Sequence, residues 1–322
     1  MSLREKVTVQ IPASTANLGP GFDTLGMALS LYAWLEIKPA SETAFHLYGD
    51  HLTGLPSDKS NLIYQVAQMI FDEAGVSVPE LEVSMYSDIP LTRGLGSSAS
   101  AIVGALAGAN ALIGSPLSND KLLDMATALE KHPDNVGASL YGGIITAAWD
   151  GRRVDYLRIE PHQDLQALVI VPDFQLSTSK ARIVIPQQFG MPDVVHNVSR
   201  SSLLVAALAS GRLDMIQKAM SDRIHQPYRA SLVPGMTEIL EHATEHGALG
   251  AALSGAGPTV LTLVERHDTR KVELEQYLMG IMEQEGITAT ALWLDPDLDG
   301  VLILPDQDER PFLDRIKGEV NA

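Results

Sequence analysis

Pro90-Leu-Thr-Arg-Gly-Leu-Gly-Ser-Ser-Ala-Ser100 packs two glycines and three serines into what reads as the first turn of a helix. Before it, Leu81-Glu-Val-Ser-Met-Tyr86 alternates apolar and polar side chains as a half-buried strand does. After it, Ala101-Ile-Val-Gly-Ala-Leu-Ala-Gly-Ala-Asn-Ala-Leu112 is small and apolar enough to pack a helix on a sheet. A strand, a glycine-rich turn and a helix N-terminus together make an anion site, because the first-turn N–H groups lack partners and the helix dipole adds positive potential. Glycine lets the backbone approach a phosphate, and serine hydroxyls add donors or a metal ligand.

Three other readings compete for the same stretch. Gly94-x-Gly96-x-x-Ala99 fits the loose dinucleotide fingerprint, but Pro90 to Arg93 separate it from its strand. Asp120 and Asp124, the acidic residues downstream, lie beyond a helix rather than at the end of a second strand. A Walker loop needs a Gly-Lys pair, and the chain has none. The plainest alternative is a small-residue helix start with no ligand.

The composition bounds the rest. A chain of 322 residues suggests two domains or one large one, and 45% hydrophobic residues suffice for a substantial core. Aromatics are only 5%, so that core rests on aliphatic side chains, alanine and methionine. A net charge of −17 argues against a general nucleic-acid or anionic-membrane surface, so any polyanion must be held by local dipoles, a metal and a few arginines. There is no cysteine, which excludes disulfides and thiolate chemistry. The first residues carry no long apolar signal core, and the uncharged span 94–119 is broken by Pro116 and many small polar residues. The expectation is a cytoplasmic, soluble protein with no membrane partner.

Along the chain, strands are expected at 7–11, 33–39, 44–48, 81–89 and 141–149, and helices at 61–74, ending at Gly75, and 121–129. The turn-rich run Pro12-Ala-Ser-Thr-Ala-Asn-Leu-Gly-Pro-Gly-Phe-Asp23 reads as a loop. The polar, proline-bearing stretch at 159–164 is the natural boundary, giving units 1–160 and 161–322. In the second unit, strands are expected at 165–171, on both sides of a glycine turn within 250–264, and at 288–294 and 301–304. Helices are expected at 193–209, 213–220, 236–246 and 269–285. Strands and helices mix without strict alternation, which favours α+β.

Four further features bear on chemistry. Glu130-Lys-His-Pro-Asp-Asn135 crowds polar groups beyond a helix end, where a carboxylate would hold Mg2+ alongside phosphate oxygens, or where Asp134 or Asn135 would simply cap. Gly250-Ala-Ala-Leu-Ser-Gly-Ala-Gly-Pro-Thr259 is a second glycine-rich turn whose N–H groups suit a phosphate or a tight corner. Arg182 and Arg229 sit in polar loops of an acidic chain, as carboxylate clamps or as surface ion pairs. His242 and His246 lie four apart but lack the H-E-x-x-H pattern, so an exposed pair is expected, and no G-x-S-x-G elbow exists.

Taken together, the motifs resemble the GHMP kinases, the superfamily of galactokinase, homoserine kinase, mevalonate kinase and phosphomevalonate kinase. Pro90-x-x-x-Gly94-Leu-Gly-Ser-Ser-Ala99 is similar to its central signature and Leu253-Ser-Gly-Ala-Gly-Pro258 to its third motif. Pro12 to Gly26 and Glu130-Lys-His-Pro-Asp-Asn-Val-Gly137 resemble the homoserine kinase branch. The resemblance implies an α+β fold of two domains, the first like ribosomal protein S5 domain 2 and the second ferredoxin-like, with the site between them. It implies ATP contacts at Pro90, Leu91, Thr92, Arg93, Gly94, Leu95, Gly96, Ser97, Ser98, Ala99 and Ser100, with Asn61 near adenine and ribose. It implies Mg2+ on Ser98 and Glu130, and an L-homoserine pocket of Asn17, Asp23, His132, Asn135, Arg182 and Arg229. Asn135 and Arg182 would serve catalysis, and a homodimer is expected on the same ground.

The chemistry suits those residues. Asp23 would neutralise the homoserine ammonium and the arginines would fork onto its carboxylate. Several relatives carry an aspartate, read as a base, where Asn135 stands, and asparagine accepts no proton at neutral pH. The expectation is phosphoryl transfer without a dedicated protein base. The rivals are another GHMP-type kinase with a mevalonate-like substrate and a dinucleotide-binding oxidoreductase.

Overall fold

The computed structural model describes residues 3–305 and 310–320. The strands are β1 (Val7–Ala16), β2 (Leu25–Pro39), β3 (Ala44–Tyr48), β4 (Leu81–Ser87), β5 (Ile144–Trp149), β6 (Val154–Ile159), β7 (Leu165–Pro172), β8 (Ala248–Leu253), β9 (Val260–Glu265), β10 (Ala289–Leu294) and β11 (Leu302–Ile303). The helices are α1 (Leu62–Ala74), α2 (Ser97–Leu112), α3 (Asn119–Glu130), α4 (Asp134–Tyr141), α5 (Thr178–Ile183), α6 (Met191–Ala209), α7 (Ile216–Ala219), α8 (Gln226–Arg229), α9 (Met236–His242), α10 (Lys271–Gln284) and α11 (Phe312–Val320).

A first sheet runs β11-β1-β2-β4-β3, with β5 paired to β2 and β6 to β5, and is antiparallel apart from the β3–β4 pair. The second sheet, β10-β7-β9-β8, is antiparallel throughout. Its strands in chain order lie fourth, first, third, second, the ferredoxin-like β-α-β-β-α-β arrangement. The connection at 160–164 separates the two sheets. The expected second unit, 161–322, gives its last strand back to the first sheet, where β11 pairs with β1.

Alternation along β7 explains how the sheets join. Leu165, Ala167 and Val169 face the large core shared with β1, β2, β4 and helices α1–α4, while Leu168 and Ile170 face a second core under α9 and α10. A sheet apolar on both faces must be covered twice.

Several boundaries differ from expectation for identifiable reasons. β2 starts at Leu25 rather than at 33, because Leu25, Met27, Ala28 and Leu29 are all buried and so show no alternation. β1 continues through Pro12 to Ala16 across a register shift at Pro12/Ala13, absorbing residues read as loop. The expected strand at 141–149 begins at Ile144, because α4 takes Tyr141 and the positive-φ pair Gly142-Gly143 turns the chain before the strand. Residues 213–220 split into a 3-10 turn and the short α7. By contrast α1 ends where its capping residues say: Asn61 accepts from Ile63 N–H, and Gly75 closes it with φ 66°.

Candidate active site

The turn between β4 and α2 is wedged between both units. Gly94 (φ 81°) and Gly96 (φ 72°) adopt left-handed backbone conformations. A Cβ on Gly94 would stand 2.3 Å from the carbonyl oxygen of Ser254, and one on Gly96 would stand 2.2 Å from Ser14 Oγ. Ser254 Oγ donates to the Gly94 carbonyl (2.6 Å) and Thr259 N–H to that of Arg93 (3.2 Å), so the second glycine turn clasps the first. Gly96 offers no side-chain cap to α2, which leaves its first-turn N–H groups to a ligand. Gly96, Ser97, Ser98 and Ala99 line one wall of a cavity, and Gly255, Ala256 and Gly257 line another.

On the same cavity, Ser98 Oγ donates to Glu130 Oε1 at 2.5 Å. Glu130 ends α3, and Lys131 closes that helix with φ 71°. A hydroxyl and a carboxylate side by side, next to open N–H groups, form the hard-oxygen donor set that Mg2+ takes together with water and phosphate. Asp23, His132 and Asp134 also bring ligand atoms within 4.8 Å of one another. That group is an ion-pair cluster instead. His132 Nδ1 lies 2.5 Å from Asp134 Oδ1, and Asp23 is forked by Arg182. Burial alone would lower the His132 pKa, but the charge and hydrogen bond of Asp134 outweigh it and hold the ring up at about 8.

Asn135 opens α4. Its N–H donates to Asp134 Oδ1 (2.7 Å), and its Oδ1 accepts from Ser14 Oγ (3.0 Å), which in turn accepts from Ser139 (3.2 Å). With the oxygen engaged, the Asn135 side chain presents its NH2 as a donor.

A further wall of the cavity is built on a strained loop. Asn17, Leu18 and Asp23 all have positive φ, and such strain gathers at functional sites. Asn17 Oδ1 accepts from Asp23 N–H and its Nδ2 donates to the Gly255 carbonyl, each at 3.0 Å. Asp23 Oδ1 and Oδ2 receive Arg182 Nη2 and Nη1 at 2.8 and 3.0 Å. Arg229 is 2% exposed; its Nε donates to the Ala181 carbonyl and its Nη1 to that of Gly255, both at 3.0 Å. Burial first, and then repulsion from Arg182, push its guanidinium down to about 10, so it stays a cation at neutral pH. Both guanidinium groups lie 5.5 Å from the centre of the Phe22 ring.

Comparison with known proteins then places the chain. The GHMP kinases N terminal domain model matches residues 61–143, and the GHMP kinases C terminal model matches 204–277. A homoserine kinase of Deinococcus radiodurans is 45% identical over 92% of this chain and 96% of its own length. One from Desulfitobacterium hafniense is 43% identical over 92% of this chain and all of its own. The chain belongs to the homoserine kinases. The crystal structure of homoserine kinase from Cytophaga hutchinsonii superposes with a TM-score of 0.84 at 25% identity, covering 94% of this chain and 99% of that one. Lactococcus lactis galactokinase, at 14% identity and a TM-score of 0.69 over 94% of this chain and 96% of its own, shares the fold. The α+β GHMP kinase fold expected from the sequence is the one found. The dinucleotide reading falls with it, since neither sheet is the parallel, doubly wound kind that such a fingerprint needs.

Set against this homoserine kinase frame, the residues expected at the site divide in two. Asn17, Asp23, Thr92, Gly94, Gly96, Ser97, Ser98, Ala99, Glu130, His132, Asn135, Arg182 and Arg229 line one cavity. Others do not reach it. Asn61 is 4% exposed and caps α1, with Nδ2 on the Pro56 carbonyl. Leu95 is core, and Ser100 Oγ donates back to the Ser97 carbonyl. Pro90, Leu91 and Arg93 border a neighbouring cleft, with Arg93 Nε on the Pro172 carbonyl (2.8 Å). His242 and His246 sit apart on Glu245 and Glu273. The sequence reading missed Ser14, Phe22, Asp134, Leu176 and Thr178. Ser14, Phe22 and Asp134 lie inside the quoted motifs, whereas Leu176 and Thr178 carry no local signal.

Proposed function

We propose that the protein phosphorylates the hydroxyl of L-homoserine with ATP, giving O-phospho-L-homoserine and ADP, a step toward threonine. The observation that carries this reading is the juxtaposition of an α-amino-acid grip with a phosphate cradle across one cavity. An incoming zwitterion exchanges the internal ion pair: its ammonium replaces Arg182 at Asp23, and its carboxylate replaces Asp23 at Arg182, with Arg229 as a second cation on the same cavity. A mevalonate-like substrate, with no ammonium, leaves that exchange incomplete.

ATP lies with its phosphates on the N–H groups of 96–99. The side chain of Asn135 and the imidazolium of His132 stand beside the reacting oxygen as donors. The homoserine oxygen attacks the γ-phosphorus, the bond to the β–γ bridging oxygen breaks, ADP leaves with that electron pair, and the hydroxyl proton passes to phosphate or solvent. Among the described residues no carboxylate is placed as a base, because Asp134 is held by His132 and Asn135 N–H, and Asp23 by Arg182 before the substrate binds and by its ammonium afterwards. Mg2+ would be held by Ser98 and Glu130, where it would neutralise phosphate charge. We also assign to this reading a cytoplasmic homodimer; sedimentation of the purified protein tests the dimer. Among the described residues no helix is long and apolar enough to cross a membrane.

A coupled assay of ADP release, with homoserine, mevalonate or no acceptor and with or without Mg2+, tests the function. Turnover with homoserine that requires Mg2+ is the expected result, and tight NAD binding without Mg-ATP binding would overturn it. Asn135→Asp should lower kcat by roughly 100-fold, since it places a negative charge where a donor faces the transferring group. An active variant with a new acidic limb in its rate profile would show that a base belongs there.

A further inference from the structure

Behind the two arginines lies a buried cluster that the chemistry above does not use. His225 has no solvent exposure and immediately precedes α8. Asp222 fixes its backbone: Oδ2 accepts from His225 N–H (3.0 Å) and Gln226 N–H (2.7 Å), while Oδ1 accepts from Ile224 N–H (3.0 Å) and Asn197 Nδ2 (2.7 Å). The ring then reaches two ways. Nε2 lies 2.7 Å from the Gly19 carbonyl oxygen and Nδ1 lies 3.2 Å from Arg229 Nη1.

A carbonyl only accepts and a guanidinium only donates. The ring must therefore donate from Nε2 and accept at Nδ1, which is one specific neutral tautomer. Burial pushes His225 below its ordinary pKa, in agreement with that assignment. Its face stacks on Phe22 at 5.1 Å and 26°, the same ring that carries both arginines.

Gly19 and Phe22 belong to the loop that sets Asp23, whereas Arg229 comes from α8. We infer that His225 is a positioning residue for substrate recognition: its ring registers Arg229 against the loop 17–23, so that the carboxylate grip and the ammonium grip stand one α-amino acid apart. This rests on the reading of homoserine as acceptor. An apolar side chain of similar size would fill the space and stack on Phe22, yet hold neither the carbonyl nor the guanidinium.

The test is steady-state kinetics of the full chain with homoserine and Mg-ATP. His225→Ala should raise the homoserine KM about 10-fold or more while kcat and the ATP KM move less than about 2-fold. His225→Asn keeps an acceptor near Nδ1 for Arg229, and His225→Gln keeps a donor near Nε2 for Gly19; each should recover part of the homoserine KM. These two retain volume and polarity, and they carry the test if the alanine variant does not fold. In an Arg229→Lys background, His225→Ala should cost less than it does alone, because the two act together. The inference is overturned by an unchanged homoserine KM, by equal damage to both substrates, or by additive losses with Arg229→Lys. Wild-type protein that does not turn over homoserine would instead sink the proposed function, and the two failures are distinguishable.

Discussion

The Asp23–Arg182 pair shows how far single residues can be read. Both side chains are over 30% exposed, so their mutual attraction is screened and contributes little to stability. In the proposed function their value lies in being exchangeable for a zwitterion. Asp23→Asn should raise the homoserine KM by roughly 10-fold or more with little change in Tm, since the ammonium loses its counter-charge; abolished kcat at unchanged homoserine affinity would mark Asp23 as a base. His132 makes the opposite case, being buried beside Asp134. Its folded-state pKa, about 8, lies above the ordinary 6.5. The stabilisation it gives is thus fully present below pH 6.5 and lost as pH rises through 8, about 2 kcal/mol in all. Urea unfolding of wild type and His132→Asn from pH 6 to 9 should show the difference shrinking over that window. Residue types at the site were legible because charged and small residues cluster in short motifs. Which atoms they hold was not. Asn17 is tied to Gly255, and Arg93 to Pro172, by contacts that span most of a domain or more.

At the scale of elements, local signals decided the boundaries they govern. Asn61 and Gly75 bracket α1 through hydrogen bonds within a few residues of themselves, so the sequence alone placed both ends. Helix α4 lacked such a signal. It is eight residues long with no side-chain N-cap, and it holds through the burial of Val136, Ser139 and Leu140 against the first sheet. The cradle combines both kinds of control, since glycine is demanded by φ locally and by Ser14 across the fold. Gly96→Ala meets both penalties and should cost roughly 2–4 kcal/mol. Urea unfolding checks the cost, and a rise in the ATP KM checks that the same turn serves the nucleotide.

On the scale of the molecule, the outer face of the first sheet shows what lies beyond local reading. Trp34, Tyr32 and Tyr86 cluster there, and Phe312 and Ile316 of α11 cover Trp34. On that face Arg315 pairs with Glu36 and donates to Thr8 Oγ1 at 3.1 Å, with both charged side chains 11% exposed. The sequence after 305 matched no motif, yet its helix covers a sheet whose central strands, β1 and β2, lie in the first forty residues. Arg315→Ala leaves Glu36 buried without its counter-charge and should destabilise by about 3 kcal/mol, whereas Glu36→Gln with Arg315→Met should recover much of the loss; thermal unfolding of wild type and the two variants decides.

The sequence by itself determined the two glycine turns, the end points of well-capped helices and the kinase family. Those properties rest on short-range geometry and on motifs. Only the tertiary structure decided the pairing of Asp23 with Arg182, the hold of His225 on Arg229 and the return of β11 and α11 to the first sheet. Hydrogen bonds and buried charges choose their partners by distance in space, and sequence spacing does not encode that distance.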